Sequence, residues 1–135
     1  MKNLLLTAAL ALLAATAASA QSVNVKATVP FSFIVNRATL PAGQYMLRSV
    51  DVDGKAVAIR NLKSNNSNLI LSNACESLKT SGTTKLVFHR YAGRYFLSQI
   101  WMRGNNRGRE IPPGAREKEV AKDYAMEEVV LLASR

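Results

Sequence analysis

The sequence predicts a mainly β protein: a small antiparallel sandwich or barrel-like domain with one short helix near its C-terminus. Segments of alternating apolar and polar residues recur along the chain. Gly, Asn or charged residues separate them about every eight to twelve residues. Only residues 115–125 combine good helix formers with an apolar stripe. There is no internal repeat, so these patterns favour one compact domain of about six to eight strands.

The N-terminus predicts a cleavable export signal. Lys2 precedes an uncharged apolar run at positions 4–17, which is shorter than the roughly 20 residues of a membrane-spanning helix. Ala18 and Ala20 then place small residues at the −3 and −1 positions before Gln21, as a signal peptidase requires. An uncleaved anchor is the alternative interpretation.

Residues 1–20 are therefore expected to be removed, and residues 21–135 to form the single β-rich domain. We expect the protein to be exported, either to the periplasm or out of the cell. Cys75 is the only cysteine, so no disulfide can form within one chain. Its position in an alternating segment favours a half-buried structural role over that of a reactive or intermolecular thiol.

The first half of the domain predicts strands joined by tight turns. The alternation from 23 to 35 is interrupted at Pro30, which cannot donate to a strand ladder, so we expect a bent or broken strand there. Residues 41–43, Pro-Ala-Gly, have turn chemistry. Asp53-Gly54 predicts a hairpin between two further strands. A polar loop follows at 62–67.

The stretch 51–54, Asp-Val-Asp-Gly, also resembles the opening of a calcium-binding loop. A calcium loop that starts at Asp51 needs a bidentate glutamate at its twelfth position, and that position is Leu62. The hairpin turn is therefore the preferred interpretation, and no metal site is expected.

The second half predicts another strand at 68–78, a loop at 79–84, and a hairpin within 86–101. Alternation places His89 on one face with Val87 and Tyr91, and both faces of this hairpin carry apolar groups. We therefore expect a central hairpin that is covered on both sides.

The C-terminal region predicts a loop, a helix and a last strand. Residues 103–110 are polar and contain glycine, which favours a loop. Residues 115–125 predict a helix of about three turns. Residues 127–133 are β-branched and apolar, which favours a buried last strand over an extension of the helix.

The charge is unevenly distributed. The formal net charge is +9, and residues 79–109 contain seven basic residues and no acidic ones. Such a stretch favours contact with acidic surfaces such as acidic polysaccharide or anionic lipid, although a solvated basic face without a partner is the simpler alternative. The candidate anion-binding residues form a predicted exposed basic rim: Arg90, Arg94, Arg103, Arg107 and Arg109.

Catalytic signals are weak. A single His and a single Cys cannot supply a nitrogen–sulfur metal site, and we expect no cofactor. One histidine suffices for Ser-His-Asp chemistry, but no GxSxG motif is present, so His89 as a catalytic base is the third interpretation. Basic residues alternate with aromatic ones as in single-strand binders, yet no nucleic-acid motif is present, which makes nucleic acid an unlikely partner.

Two stretches carry a resemblance to a known group of proteins. The segments VPFSFIVNRATLPAGQYML and RYFLSQIWMRGNNRGREIPPGAREKEVA resemble small exported proteins of soil Acidobacteria that have no known activity. The matching motifs are PF-x-F, LPAG-x-Y and YFLS-x-IW. The resemblance implies export and a small β-rich domain, and it assigns no functional residues.

Three functions follow as expectations. The first is a non-enzymatic envelope or extracellular protein that acts by self-assembly or by binding another protein, with the broken first strand as one candidate edge. The alternative is a binder of acidic glycans or anionic surfaces through the basic rim. The third is an enzyme that uses His89.

Overall fold

The computed structural model describes residues 22–135, and within them it contains eleven strands and one helix. The predicted leader and its cleavage positions, Ala18, Ala20 and Gln21, lie outside the described residues. The elements are β1 (Asn24–Val29), β2 (Phe33–Val35), β3 (Ala38–Leu40), β4 (Gly43–Ser49), β5 (Ala56–Asn61), β6 (Ser67–Leu71), β7 (Asn73–Glu76), β8 (Lys85–Tyr91), β9 (Arg94–Trp101), β10 (Arg107–Glu110), α1 (Ala115–Ala121) and β11 (Glu127–Leu132).

The first sheet contains four antiparallel strands in the order β1-β4-β5-β6. The hairpin between β4 and β5 turns at the predicted position, where Gly54 has a φ of 72°, a conformation that glycine adopts at little cost. The Asp51 carboxylate accepts a hydrogen bond from the Ala56 N–H across this turn. The hairpin interpretation is confirmed.

The second sheet has the order β11-β8-β9-β10-β7, and the β2–β3 hairpin joins it beside β9. The β8–β9 hairpin lies at its centre and turns at Ala92 and Gly93, which both have positive φ. Strand β2 pairs with β9 in parallel, whereas every other strand pairing of the described chain is antiparallel. Residues 127–132 form the last strand, as expected, but the expected burial is wrong: every residue of the strand is exposed or half-buried, because it is the outermost strand of its sheet.

The chain passes between the two sheets at two points. β1 ends before Pro30 in the first sheet and β2 begins in the second, which confirms the predicted break. Ser72 alone separates β6 of the first sheet from β7 of the second. On the opposite side, Lys26 and Ser134 exchange two backbone hydrogen bonds of 2.7 and 2.9 Å. The sheets are not closed into a barrel, and the result is a sandwich-like fold.

The main core lies between the two sheets. Alternate residues of β1 and β4 are buried on the inner face of the first sheet, and Leu86 and Phe88 face them from β8. Phe33 packs edge-to-face against both Tyr45 and Phe88, with ring centroids 5.1 and 5.5 Å apart. Aromatic pairs of this geometry add to the free energy gained from burial. The alternation of apolar and polar residues in β1 and β4 therefore correctly predicts which of their side chains are buried in this core.

A bulge in β9 changes which side chains face the core. Val87 pairs with Gln99 and Phe88 with Leu97, so Ser98 is an extra residue in its strand. Leu97 and Ile100 both reach the main core as a result, although simple alternation places them on opposite faces.

Helix α1 covers the outer face of the second sheet. Val120 of the helix packs with Ile34, Tyr91 and Phe96 in a second, smaller apolar cluster. The central hairpin is therefore covered on both sides, as expected. No helix of the described residues is long and apolar enough to cross a membrane.

Several predicted elements need correction. There are eleven described strands rather than six to eight, because β2, β3, β7 and β10 have only three or four residues each. Residues 107–110 form β10, not a loop, because they pair with both β7 and β9. Residues 68–78 contain parts of two strands instead of one. The helix spans seven residues, about two turns, and not three.

Candidate functional site

The chain's single histidine lies in a hydrogen-bonded network between β8 and α1. His89 Nδ1 is 3.2 Å from Glu117 Oε2, and His89 Nε2 is 3.1 Å from Ser98 Oγ. Because a carboxylate can only accept, Nδ1 is the donor to Glu117. The direction of the hydrogen bond between Nε2 and the Ser98 hydroxyl depends on the protonation of the ring. The order Ser–His–Glu is that of a nucleophile, a base and an orienting acid.

Two of the three side chains in this network are buried. Ser98 is 4 % exposed and Glu117 is 6 % exposed, so a substrate cannot reach the hydroxyl. Ser98, His89 and Glu117 line none of four surface clefts of about 1210, 680, 510 and 470 Å³ that the described residues form. The network links α1 to the second sheet, because Glu117 of the helix is hydrogen-bonded to His89 of β8, which also contacts Ser98 of β9. Each buried polar group in the network thus has a partner.

Tyr91 completes the network. Its hydroxyl donates to Glu117 Oε2 over 3.1 Å. Burial raises the pKa of Tyr91 above its usual value of 10.0, and the negative charge of Glu117 and the hydrogen bond to it raise the pKa further. Glu117 therefore joins two residues of β8 to the helix.

The arginines of the predicted basic rim lie in separate places. Arg90 is beside the β8–β9 turn, where Nη1 is 3.5 Å from Glu127 Oε2 and the guanidinium lies over the Tyr95 ring. Arg94 is exposed at the same turn, and Arg103 is exposed beyond the far end of β9. A strand rises about 3.3 Å per residue, so the seven steps from Arg94 to Trp101 span about 23 Å.

The remaining two arginines occupy β10. Arg107 is exposed, and its Nε lies 3.1 Å from Glu76 Oε1 on β7. Arg109 is only 4 % exposed. The expectation of one exposed rim is therefore wrong: the five residues lie at two ends of the second sheet, and Arg109 is buried.

Arg109 holds the corner at which the chain leaves the first sheet. Its Nε donates to Ser72 Oγ over 2.9 Å, and its Nη2 donates to Ser72 O over 2.8 Å. Ser72 Oγ in turn donates to Lys55 O over 3.0 Å. Ser72 lies between β6 and β7 and belongs to neither strand. Arg109 therefore supplies the Ser72 carbonyl with a hydrogen bond at the point where the chain changes sheets.

Sequence analysis did not identify Arg109 as a buried residue. Arg107 and Arg109 both occur in a polar, glycine-containing segment that resembles a loop. Arg109 is buried because it pairs with Ala74 of β7 on one side and with Ile100 of β9 on the other.

Cys75 is half-buried on β7, as the alternation predicted. Burial raises the pKa of its thiol above the usual 9.0, and the Glu110 carboxylate adds to the rise, while a hydrogen bond from Gly108 and the charge of Arg109 oppose it. A raised pKa keeps the thiol protonated at neutral pH, which disfavours a role as nucleophile.

The largest of the four clefts, of about 1210 Å³, lies between the β3–β4 turn and the β5–β6 loop. Its lining is mostly uncharged, with Lys63 as the single charged side chain. Tyr45 reaches this cleft but is 1 % exposed and donates its hydroxyl to Pro41 O. The tyrosine therefore fixes the predicted Pro-Ala-Gly turn and is not available to stack against a ligand.

The surface carries exposed apolar side chains at two outer strands. On β11, Val130 is 50 % exposed and Leu132 is 67 % exposed; on β6, Leu69 is 56 % exposed and Leu71 is 67 % exposed. β11 and β6 are terminal strands in the order of their sheets. Outer strands with apolar side chains and without lysine or proline are open to pairing with another chain.

Comparison with protein-family models, curated proteins and solved structures gives no match.

Proposed function

We propose that the chain is an exported, non-enzymatic protein that acts by protein–protein association, and that its partner is a second copy of itself. The open edge of β11 is the observation that carries this proposal. The N-terminal pattern of a charged residue, an apolar run and small residues supports export to the periplasm or beyond the cell.

The register of β11 against β8 shows which backbone groups are free. Ala133 N–H donates to Thr84 O. In an antiparallel pair, hydrogen-bonded and non-hydrogen-bonded positions alternate, so the backbone groups of Glu128, Val130 and Leu132 point away from β8. Outside the strand ladders, the backbone hydrogen bonds of the described residues do not involve these three residues, and β11 pairs with β8 alone.

The other outer strands are less available. Lys26 of β1, the edge favoured from the sequence, is already paired with Ser134. On β6, Leu69 O accepts a hydrogen bond from Asn36 Nδ2. β7 has only four residues. β11 has six residues, and the bridge to Lys26 engages only Ser134, which lies two residues beyond its end.

The sequence of β11 suits pairing with itself. An antiparallel pair related by a two-fold axis at Val130 places Val130 of one copy opposite Val130 of the other, and Glu128 opposite Leu132. The carboxylates of the two copies then do not face each other, and like charges directly opposite are what destabilise such pairs. Val129 of one copy then lies opposite Leu131 of the other. Both side chains are on the face of the sheet that packs against the main core, so the apolar face continues across the dimer.

Light scattering on the chain from Gln21 onward, in low and high salt, tests the proposal. We expect a dimer that high salt does not dissociate, since apolar burial and backbone hydrogen bonds are not screened by ions. Val130→Lys places two like charges opposite each other and should give a monomer. Val52→Lys is the matched control, because Val52 is 88 % exposed in the β4–β5 turn, and it should remain a dimer.

Two results would refute the proposal: a monomer in both salt conditions, or the same oligomer for both lysine variants. An oligomer that dissociates in high salt would favour binding through the basic residues instead.

The enzyme interpretation has its own test. His89→Ala removes the only imidazole, so any hydrolytic activity found on ester substrates must be lost in this variant if His89 is its base. Retention of dimer formation in the same variant separates association from catalysis.

A further inference from the structure

We infer that Lys55, Arg107 and Arg109 form a binding site for the carboxylate group of a small ligand. The site is the cleft of about 470 Å³ at the corner where the chain passes from β6 to β7. This inference does not depend on the pairing of β11, which lies on the opposite side of the sandwich.

The guanidinium of Arg109 has one nitrogen that remains available. Nε and Nη2 donate to Ser72, whereas Nη1 has no acceptor among the described residues. No buried side-chain nitrogen or oxygen in the described chain lacks a partner, so Nη1 must reach solvent. Arg109 is one of the residues that line the cleft, which is where we place its free N–H groups.

The charge of Arg109 is not neutralised by the protein. It is 4 % exposed, yet no carboxylate of the described residues lies within 4.0 Å of it. Arginine stays protonated in proteins, and buried charges are normally paired. A bound anion would supply the missing partner.

The net charge of the cleft favours a ligand that carries a single negative charge. Lys55, Arg107 and Arg109 contribute three positive charges, and Asp53 contributes one negative charge. Glu76 pairs with Arg107 and adds a second negative charge, which leaves a net charge of one positive unit. A carboxylate balances this charge, whereas a doubly charged phosphate exceeds it.

The geometry also suits a planar anion. A guanidinium presents five N–H groups in a rigid plane, so Nη1 and the second N–H of Nη2 can donate side by side to the two oxygens of a carboxylate. Arg109 is held in place by Ser72, so little side-chain freedom is lost when the ligand binds. Lys55, which is exposed at the rim, can adjust to ligands of different size.

Binding can be measured by NMR titration of the chain from Gln21 onward with glucuronate, at constant ionic strength. We expect saturable shifts of the backbone amides of β7 and β10, with glucose at the same concentration causing none. N-acetylglutamate, in a parallel titration, shows whether a sugar or a peptide-like carboxylate binds more tightly. Inorganic phosphate should bind more weakly than either carboxylate.

Substitutions of the exposed residues Lys55 and Asp53 test the site without removing the hydrogen bonds between Arg109 and Ser72. Lys55→Gln should weaken glucuronate binding about twofold to fivefold, as expected for loss of an exposed ion pair. Asp53→Asn removes the negative charge of the cleft and should strengthen binding by a similar factor. Lys63→Gln, which changes an exposed lysine of the β5–β6 loop, should leave the affinity unchanged.

Three outcomes would overturn the inference. The first is the absence of saturable shifts in β7 and β10 with either carboxylate. The second is an equal loss of affinity in Lys63→Gln and Lys55→Gln, which would indicate attraction by the overall charge. The third is tighter binding of phosphate than of the carboxylates.

Discussion

Gly108 is the position in β10 at which a single methyl group should have the largest effect. An added Cβ would lie 2.7 Å from Ile100 O, 2.8 Å from Trp101 Cε3 and 2.9 Å from Trp101 Cδ2. The indole of Trp101 therefore lies directly across this glycine, and Gly108→Ala cannot be accommodated without movement.

The free-energy cost can be estimated from what must move. Trp101 is 8 % exposed, and its Nε1 donates to Gln99 Oε1 over 2.9 Å, so displacing the ring disturbs both its packing and this bond. The Ile100 carbonyl can move only if β10 separates from β9, to which two residue pairs join it. Overpacking of this kind costs about 1–3 kcal/mol, and we expect Gly108→Ala to lower the free energy of unfolding by about 2 kcal/mol.

Urea unfolding followed by tryptophan fluorescence measures this change, because Trp101 is the only tryptophan. The native emission of Gly108→Ala should also shift, since the ring itself is displaced. Gly82→Ala is the control, because its Cβ would meet nothing within 4 Å, and its effect should stay within about 0.5 kcal/mol. Equal stability of the two alanine variants, with unchanged emission, would show that the indole does not lie across Gly108.

Two further predictions concern the network that holds α1. Because its folded pKa is raised, Tyr91 keeps its proton above pH 10.0 while the unfolded chain loses it, so stability should fall as pH rises from this value towards the folded pKa. In a Cys75→Ser background, urea unfolding at pH 8 and 11 should show a smaller alkaline loss for Tyr91→Phe than for its parent, and equal losses would contradict the raised pKa. Glu117→Ala removes the acceptor of both His89 and Tyr91 and should lower the free energy of unfolding by about 1–3 kcal/mol, whereas Glu119→Ala, on the exposed side of the helix, should cost less than about 0.5 kcal/mol. Similar losses for the two glutamates would mean that the network does not hold the helix.

Local signals in the sequence were sufficient for the fold class and for most hairpins. Pro30 marks the change of sheet because it removes a donor from the ladder, and Asp53-Gly54 marks a turn because glycine tolerates a positive φ. The turn at 92–93 also contains a glycine. Each of these effects depends on one or two residues, so no knowledge of distant contacts is needed.

The features that sequence analysis missed depend on contacts between distant segments. The bulge at Ser98 is defined by the pairing of β9 with β8, and alternation alone assigns Ile100 to the wrong face. Arg109 is carried inward by its neighbours on β7 and β9. Sequence analysis did not single out Glu117, whose carboxylate is buried against His89 and Tyr91 of β8.

The pairing of Lys26 with Ser134 has a consequence for the order of events during folding. The two residues are 108 positions apart in the chain, so the bridge that links β1 to the segment after β11 cannot form until Ser134 has been synthesised. Contacts over such long separations close slowly, because much of the chain must be ordered first. This late closure is compatible with the proposed export, because a channel for unfolded chains accepts only a chain that has not yet completed its fold.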